Sequence, residues 1–180
     1  MRFLETAIPG AFLIRPQRLE DDRGFFARTF CMRELTEQGI DARVVQRSIS
    51  SNPRRGTLRG MHFQAPPHAE NKFVSCPRGA IHDVILDLRP DSPRYRRWQA
   101  FTLDERTLDI LFVPAGCAHG FLTLEDQTVV HYEISEPYVP EAAIGVRYDD
   151  PAFGIVWPLP PTVVSPRDLT FPPFDPEKSR

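Results

Sequence analysis

The segment RRGTLRGMHFQ, at positions 54–64, sets three arginines and His62 among two glycines and a Thr-Leu pair. A strand that only filled a core would alternate apolar and polar residues, whereas this one alternates small residues with groups that bind anions or move protons. An imidazole is a base near neutral pH, and a guanidinium grips phosphate oxygens in pairs. Other apolar runs carry similar interruptions: Gln64 beside His62, then Lys72, Asp83 with Asp87, and Tyr132. Each has a structural explanation when taken alone, as a satisfied buried histidine, a solvated lysine, an edge aspartate or a ring packed with its hydroxyl bonded. Taken together, four such strands describe a polar pocket, because same-parity residues of neighbouring strands face one lumen in a small barrel.

Arg59 and His62 are three residues apart, so a regular strand would point them to opposite faces. Both serve one site only if Gly60 kinks or bulges the strand. His119 follows a Pro-Ala-Gly turn that could set it at the barrel mouth; a histidine capping that turn is the alternative. Arg23, Arg59 and Arg167 are suited to phosphate, against the plainer reading of surface ion pairs. A metal is not expected. Where a metal-binding barrel would carry a His-x-His pair this chain reads His62-Phe63-Gln64, and neither His82 nor His131 has a partner at ligand spacing. The nucleophile elbow, the phosphate-binding loop and the dinucleotide fingerprint are all missing, so any nucleotide must be held by side chains.

The elements that must position these residues are short. Nineteen prolines and ten glycines punctuate the chain, and the apolar runs between them predict strands at 11–16, 25–31, 43–51, 56–64, 71–76, 80–88, 98–103, 109–113, 119–123 and 128–133. That spacing implies an all-β sandwich or jelly-roll barrel. Only 32–39 reads as a helix, with Gly39 as its stop. From 139 to 180 the chain is rich in proline and turn signals and is expected to wrap the barrel as an ordered arm. Ile144, Phe153, Ile155 and Trp157 would anchor it, and the last five residues would fray. Neither a repeat nor a linker is evident, so 1–180 reads as one domain.

With 180 residues, 41% hydrophobic and 26% charged, the chain can bury a sizeable core. A formal net charge of −2 excludes a general nucleic-acid binder or a polybasic membrane protein, while its locally concentrated arginine fits a small anionic ligand. Cys31, Cys76 and Cys117 are too few and scattered for a disulfide framework or a Cys-x-x-Cys site and read as free thiols. The N-terminal apolar pieces are too short for a signal or a membrane span, which predicts a cytoplasmic protein.

Several long motifs in unbroken order then resemble one family. DDRGFF (21–26), GTLRGMHFQ (56–64), NKFV and RGAIHDVILDLRPDSP (71–93), FVPAGCAHGF (112–121), YDDPAFGIVWP (148–158) and SPRD (165–168) look like the dTDP-4-dehydrorhamnose 3,5-epimerases. The resemblance implies a cofactor-free, metal-independent cupin jelly roll acting on a nucleotide-linked 4-keto-6-deoxy sugar. It also implies a homodimer that exchanges N-terminal strands within 1–20. By the same resemblance His62 is the base, paired with Asp168; Tyr132 reprotonates the opposite face; and Lys72 stabilises the enolate oxygen. Arg59, His119, Gln46 and Asp83 line the sugar and phosphate pocket, and Arg23, Phe26, Tyr138 and Arg167 extend the binding set. These roles suit the chemistry, which needs a base tuned near working pH, a fixed cation at the ketone oxygen and a donor on the other face.

Three positions depart from the family pattern. Arg28 stands where a glutamate is usual, Gln46-Arg47-Ser48 replaces Gln-Asp-Asn, and Ala143 replaces a glutamate. All three belong to the binding end, so the nucleobase and the number of inverted carbons are less defined than the chemistry. Replacing an acceptor by Arg28 disfavours the imide N–H of thymine and favours the acceptors of cytosine. A CDP-linked substrate and a single-centre epimerase are therefore kept beside the dTDP-linked 3,5-epimerase. A keto-sugar isomerase of the same fold and a non-catalytic nucleotide-sugar-binding cupin are the remaining readings.

Overall fold

The computed structural model describes residues 1–175; the five predicted to fray, 176–180, lie outside the described residues. Fourteen strands and two short helices follow one another. They are β1 (Arg2–Glu5), β2 (Phe12–Arg15), β3 (Arg18–Asp21), β4 (Gly24–Ala27), α1 (Met32–Glu37), β5 (Gln46–Asn52) and β6 (Thr57–Gln64). The second half continues with β7 (Lys72–Arg78), β8 (Ala80–Asp87), β9 (Trp98–Asp104), β10 (Ile110–Val113), β11 (Cys117–Thr123), β12 (Thr128–Ile134), β13 (Ala143–Gly145), β14 (Val163–Val164) and α2 (Pro166–Leu169). Each of the ten predicted strands has a counterpart. The additional ones, β1, β3, β13 and β14, are two to four residues long.

Two sheets face each other. One runs β1-β2-β10-β7-β12-β5; the other runs β13-β6-β11-β8-β9, with β14 also pairing with β6. The alternation of β8 shows how the sequence builds the layers. Ile81 and Ile85 join Val74, Cys76, Leu111, Val113, Phe121 and Val130 in the core between the sheets. Val84 and Leu86, of opposite parity, turn outward and are covered by Val146 and Phe153 from the segment after β13, with Ile155, Trp157 and Phe174 packed beside them. A third cluster places Leu35 of α1, with Ile40 and Ala42, over Phe73, Ile110 and Phe112 on the outer face of the first sheet. The α1 terminus is as expected: Gly39 has φ +74°, its N–H reaches the Thr36 carbonyl, and the Ile40 N–H reaches that of Leu35.

The expected anchor Ile144 is 40% exposed. β13 pairs Ala143 with Gln64 and Ile144 with Phe63, and Val146, one residue past the end of the strand, joins the buried cluster instead. β3 and β4 form a separate two-stranded sheet that joins neither layer, and its Leu19, Phe25 and Phe26 are exposed. In this single chain β1 and β2 pair with each other, and β2 continues into β10.

Candidate active site

The site lies between the sheets and depends on an irregularity in β6. His119 of β11 pairs with His62, yet Phe121 pairs with Arg59, so three residue steps on β6 oppose two on β11. Gly60, at φ +145°, supplies the extra residue. A Cβ there would lie 2.5 Å from the Gly120 Cα, so only facing glycines let the two backbones approach this closely. The bulge restores the parity that the three-residue spacing breaks. Arg59 and His62 both line one cavity of about 320 Å³, together with Ser48, Lys72, His119, Tyr132, Arg167 and Asp168. An adjoining lobe of about 150 Å³ shares His62, Lys72 and Arg167 and adds Gln46, Glu70, Tyr138 and Ala143.

His62 comes from the second sheet, while Tyr132 and Lys72 come from the first, so a ligand in the cavity has them on different sides. The His62 Nε2 lies 2.7 Å from the Asp168 Oδ1. Asp168 is buried on α2, whose start is fixed by the Asp168 N–H donating to Ser165 Oγ at 3.1 Å, and its Oδ2 accepts the Gly60 N–H at 3.2 Å. Burial opposes its charge, but the bonds from His62, Gly60 and Ser165 prevail and hold its carboxyl below the ordinary range. Asp168 is therefore an anion at neutral pH. With Nε2–H donated to it, the lone pair of a neutral His62 is left on Nδ1.

Burial pushes the Tyr132 phenol up, and the negative charge of Asp83 adds to this while Arg59 opposes it. Tyr132 is a neutral O–H donor. Burial lowers Lys72, opposed by Glu70, with which its ammonium is paired. Arg59 is held by its Nε–H donating to Asn52 Oδ1 at 2.9 Å, and Arg167 by Nη2–H donating to the Ala143 carbonyl at 2.8 Å.

Other expected residues lie off the main cavity, Gln46 and Gln64 at the adjoining lobe. Asp83 is fully buried and does not reach the cavity wall. It stands behind His119, with its Oδ1 2.7 Å from the His119 Nε2. Gln64 turns to the backbone, donating to the His68 and Pro137 carbonyls and accepting the Val139 N–H. Asp87 binds Arg89 and Ser92 in the turn after β8. Gln46 accepts the Tyr138 N–H at 2.6 Å. Arg23, Phe26 and Arg28 do not reach the cavity of their own chain, because the detached β3–β4 hairpin carries them away from it: Arg23 pairs with Asp21, Phe26 is 69% exposed and Arg28 pairs with Glu34 at 3.2 Å. Sequence reasoning missed Glu70, Asn52 and Ser165. The only trace of the last is its place one residue before a proline at a helix start. Among the described residues no group of three or more His, Cys, Asp or Glu side chains could hold a metal ion.

A β-sandwich whose interior bears a histidine–carboxylate pair facing a tyrosine and a lysine is, in class, a cupin jelly roll with a polar cavity between its sheets. The comparisons with known proteins make the class specific. The family model described as dTDP-4-dehydrorhamnose 3,5-epimerase matches residues 5–176, and the chain belongs to that family. It is 41% identical over 173 residues to the dTDP-4-dehydrorhamnose 3,5-epimerase of Sinorhizobium fredii, covering 96% of this chain and 89% of that protein. The crystal structure of the Bacillus anthracis enzyme of that name, with TDP and PPi bound, superposes with a TM-score of 0.93 at 37% identity, covering 96% of this chain and 99% of that one. ChmJ of Streptomyces bikiniensis, a 3'-monoepimerase in complex with dTDP-quinovose, is also similar: TM-score 0.86, 32% identity, 93% of this chain and 85% of that one.

Proposed function

We propose that this protein epimerises a dTDP-linked 4-keto-6-deoxy hexose by removing and returning a proton on carbon beside the ketone, at C3, C5 or both. The observation that carries the reading is the His62–Asp168 pair on one wall of the cavity, with Tyr132 and the Glu70-paired Lys72 on the other. His62 Nδ1 takes the carbon-bound proton, and the C–H electron pair becomes an enolate whose oxygen meets the Lys72 ammonium. Tyr132 O–H then protonates the carbon from the opposite side. The imidazolium and phenolate return to their starting states by exchange with solvent, so the sum is redox-neutral and calls for no cofactor. Arg59 and Arg167, both anchored at one end, face the cavity as phosphate donors.

The dTDP-sugar is favoured over its CDP counterpart because the Arg28 guanidinium is already engaged by Glu34 and is less available to read cytosine. The relatives carrying TDP and dTDP-quinovose support the same choice. The detached hairpin supports a homodimer in which Arg23 and Phe26 complete the site of a second copy while Arg28 stays paired with Glu34. No described helix is long and apolar enough to cross a membrane, and the three cysteines are free, which fits work in the reducing cytoplasm.

Proton NMR of dTDP-4-keto-6-deoxyglucose and its CDP counterpart in deuterated buffer tests the reading. Solvent deuterium should enter the dTDP-sugar at C3, C5 or both. Tyr132→Phe should retain that exchange while inversion slows by about 10²-fold. Comparable turnover of the CDP-sugar would overturn the choice of base. Exchange with neither sugar would sink the catalytic reading and favour a binding module.

A further inference from the structure

We infer that Glu70 is a positioning residue for the reaction: its carboxylate ties the Lys72 side chain to the cavity wall and holds it there as an ammonium. The inference rests on the role proposed for Lys72. The sequence contains only two lysines, Lys72 and Lys178, among 22 basic residues, so the chain uses arginine nearly everywhere and places an ammonium at this one cavity. An arginine keeps its charge in almost any setting; a buried lysine keeps it only with help. Glu70 provides that help. It is buried, its Oε1 pairs with the Lys72 ammonium, and its Oε2 accepts the Gln64 N–H at 3.0 Å, two residues along β6 from His62. Glu70 therefore ties the lysine of the first sheet to the strand that carries the base. Of the three Lys72 N–H groups, one goes to Glu70 and a second lies 3.5 Å from the His62 carbonyl, which leaves one for a ligand oxygen.

The other groups facing Lys72 do not substitute for Glu70. Burial, then Asp87, pushes the Cys117 thiol of β11 up to about 12, so it is neutral. Tyr132 of β12 is a neutral phenol, and Glu136, at the adjoining lobe, pairs with Arg43. Asp168 of α2 is committed to His62, while His62, His119 and Arg167 add no negative charge. Among the described residues, Glu70 is the one carboxylate in contact with the ammonium.

The sign of the expected effect follows. If turnover needs the ammonium, the rate falls as pH rises through the Lys72 titration, and removing the Glu70 charge moves that fall to lower pH. The test uses the full-length Lys178→Arg background, in which Lys72 is the only lysine, with nitrogen-15-labelled lysine and Glu70→Gln or Glu70→Asp added. In Glu70→Gln the Lys72 ammonium should titrate about one pH unit or more lower, and the alkaline limb of kcat should move with it. Glu70→Asp should recover most of both. An unmoved titration in a folded Glu70→Gln protein, with kcat reduced equally at every pH, would overturn the inference. If Glu70→Gln does not fold, Glu70→Asp carries the test alone, its longer reach to Lys72 lowering the titration by a smaller amount; no movement there overturns the inference. A moved titration in a protein that exchanges no sugar proton would support the hold of Glu70 on Lys72 and sink the activity reading separately.

Discussion

The molecule contains two histidine–aspartate pairs with the same bond. In both, the histidine Nε2 stands 2.7 Å from a carboxylate Oδ1, and the two histidines are direct neighbours across the β6–β11 ladder. They differ in what surrounds them. The His62 side chain is 39% exposed to the cavity, and its carboxylate is satisfied on both oxygens, by the imidazole and the Gly60 N–H. The His119 side chain is 4% exposed, and the second oxygen of Asp83 has no hydrogen-bond partner among the described residues. Access, not the bond, separates the two pairs, and in the proposed function it is the accessible one that supplies the base. A histidine that shuttles protons must meet substrate with its free nitrogen, and His119, packed between Asp83 and the Tyr132 ring, shows the cavity far less of itself than His62 does.

The largest break in that comparison should come from His62→Ala, which should reduce solvent exchange into the sugar by about 10³-fold or more, while His119→Asn stays within about tenfold of wild type. Equal losses would erase the distinction. Asp168→Asn should come next, with kcat down by about 10²-fold, because an amide no longer fixes the proton on Nε2. The same variant carries a pH signature. The folded Asp168 titrates below its ordinary value, so its stabilisation is present above the unfolded carboxyl pKa, about 4, and is lost as pH falls through the lower folded one. Melting temperatures should therefore fall more steeply with acid in wild type than in Asp168→Asn. The smallest catalytic effect is expected from Asp83→Asn, which breaks the buried pair. It should cost about 3 kcal/mol, or roughly 6–12 °C in Tm, with kcat changed by less than about tenfold.

Much of the barrel could be read in advance because its strands are apolar runs between prolines and glycines. The missing strands lack that signal. β3 reads RLED, all four residues exposed, and is a strand only because β4 pairs with it. The bulge was legible, since two useful residues three apart with a glycine between them admit few other geometries. Asp168 was not legible from local pattern: it reaches His62 across 106 residues, and only the resemblance paired them. Glu70 escaped because a glutamate beside an asparagine after two prolines reads as a solvated loop. Its burial is set by Lys72 and Gln64 and by no property of its own segment. Asp83 shows the converse error. Parity rightly turned it inward, but parity cannot say that a histidine stands between it and the lumen.

The route by which Asp168 arrives has a consequence for the site. The barrel strands through β12 are complete by Ile134, yet the carboxylate bonded to His62 is delivered by a separate limb, laid over the outer face of one sheet and hooked into β6 by the two residues of β14. The strands that carry His62, Lys72 and Tyr132 thus precede Asp168 in the chain, and the pairing of its carboxylate with His62 depends on the docking of this limb.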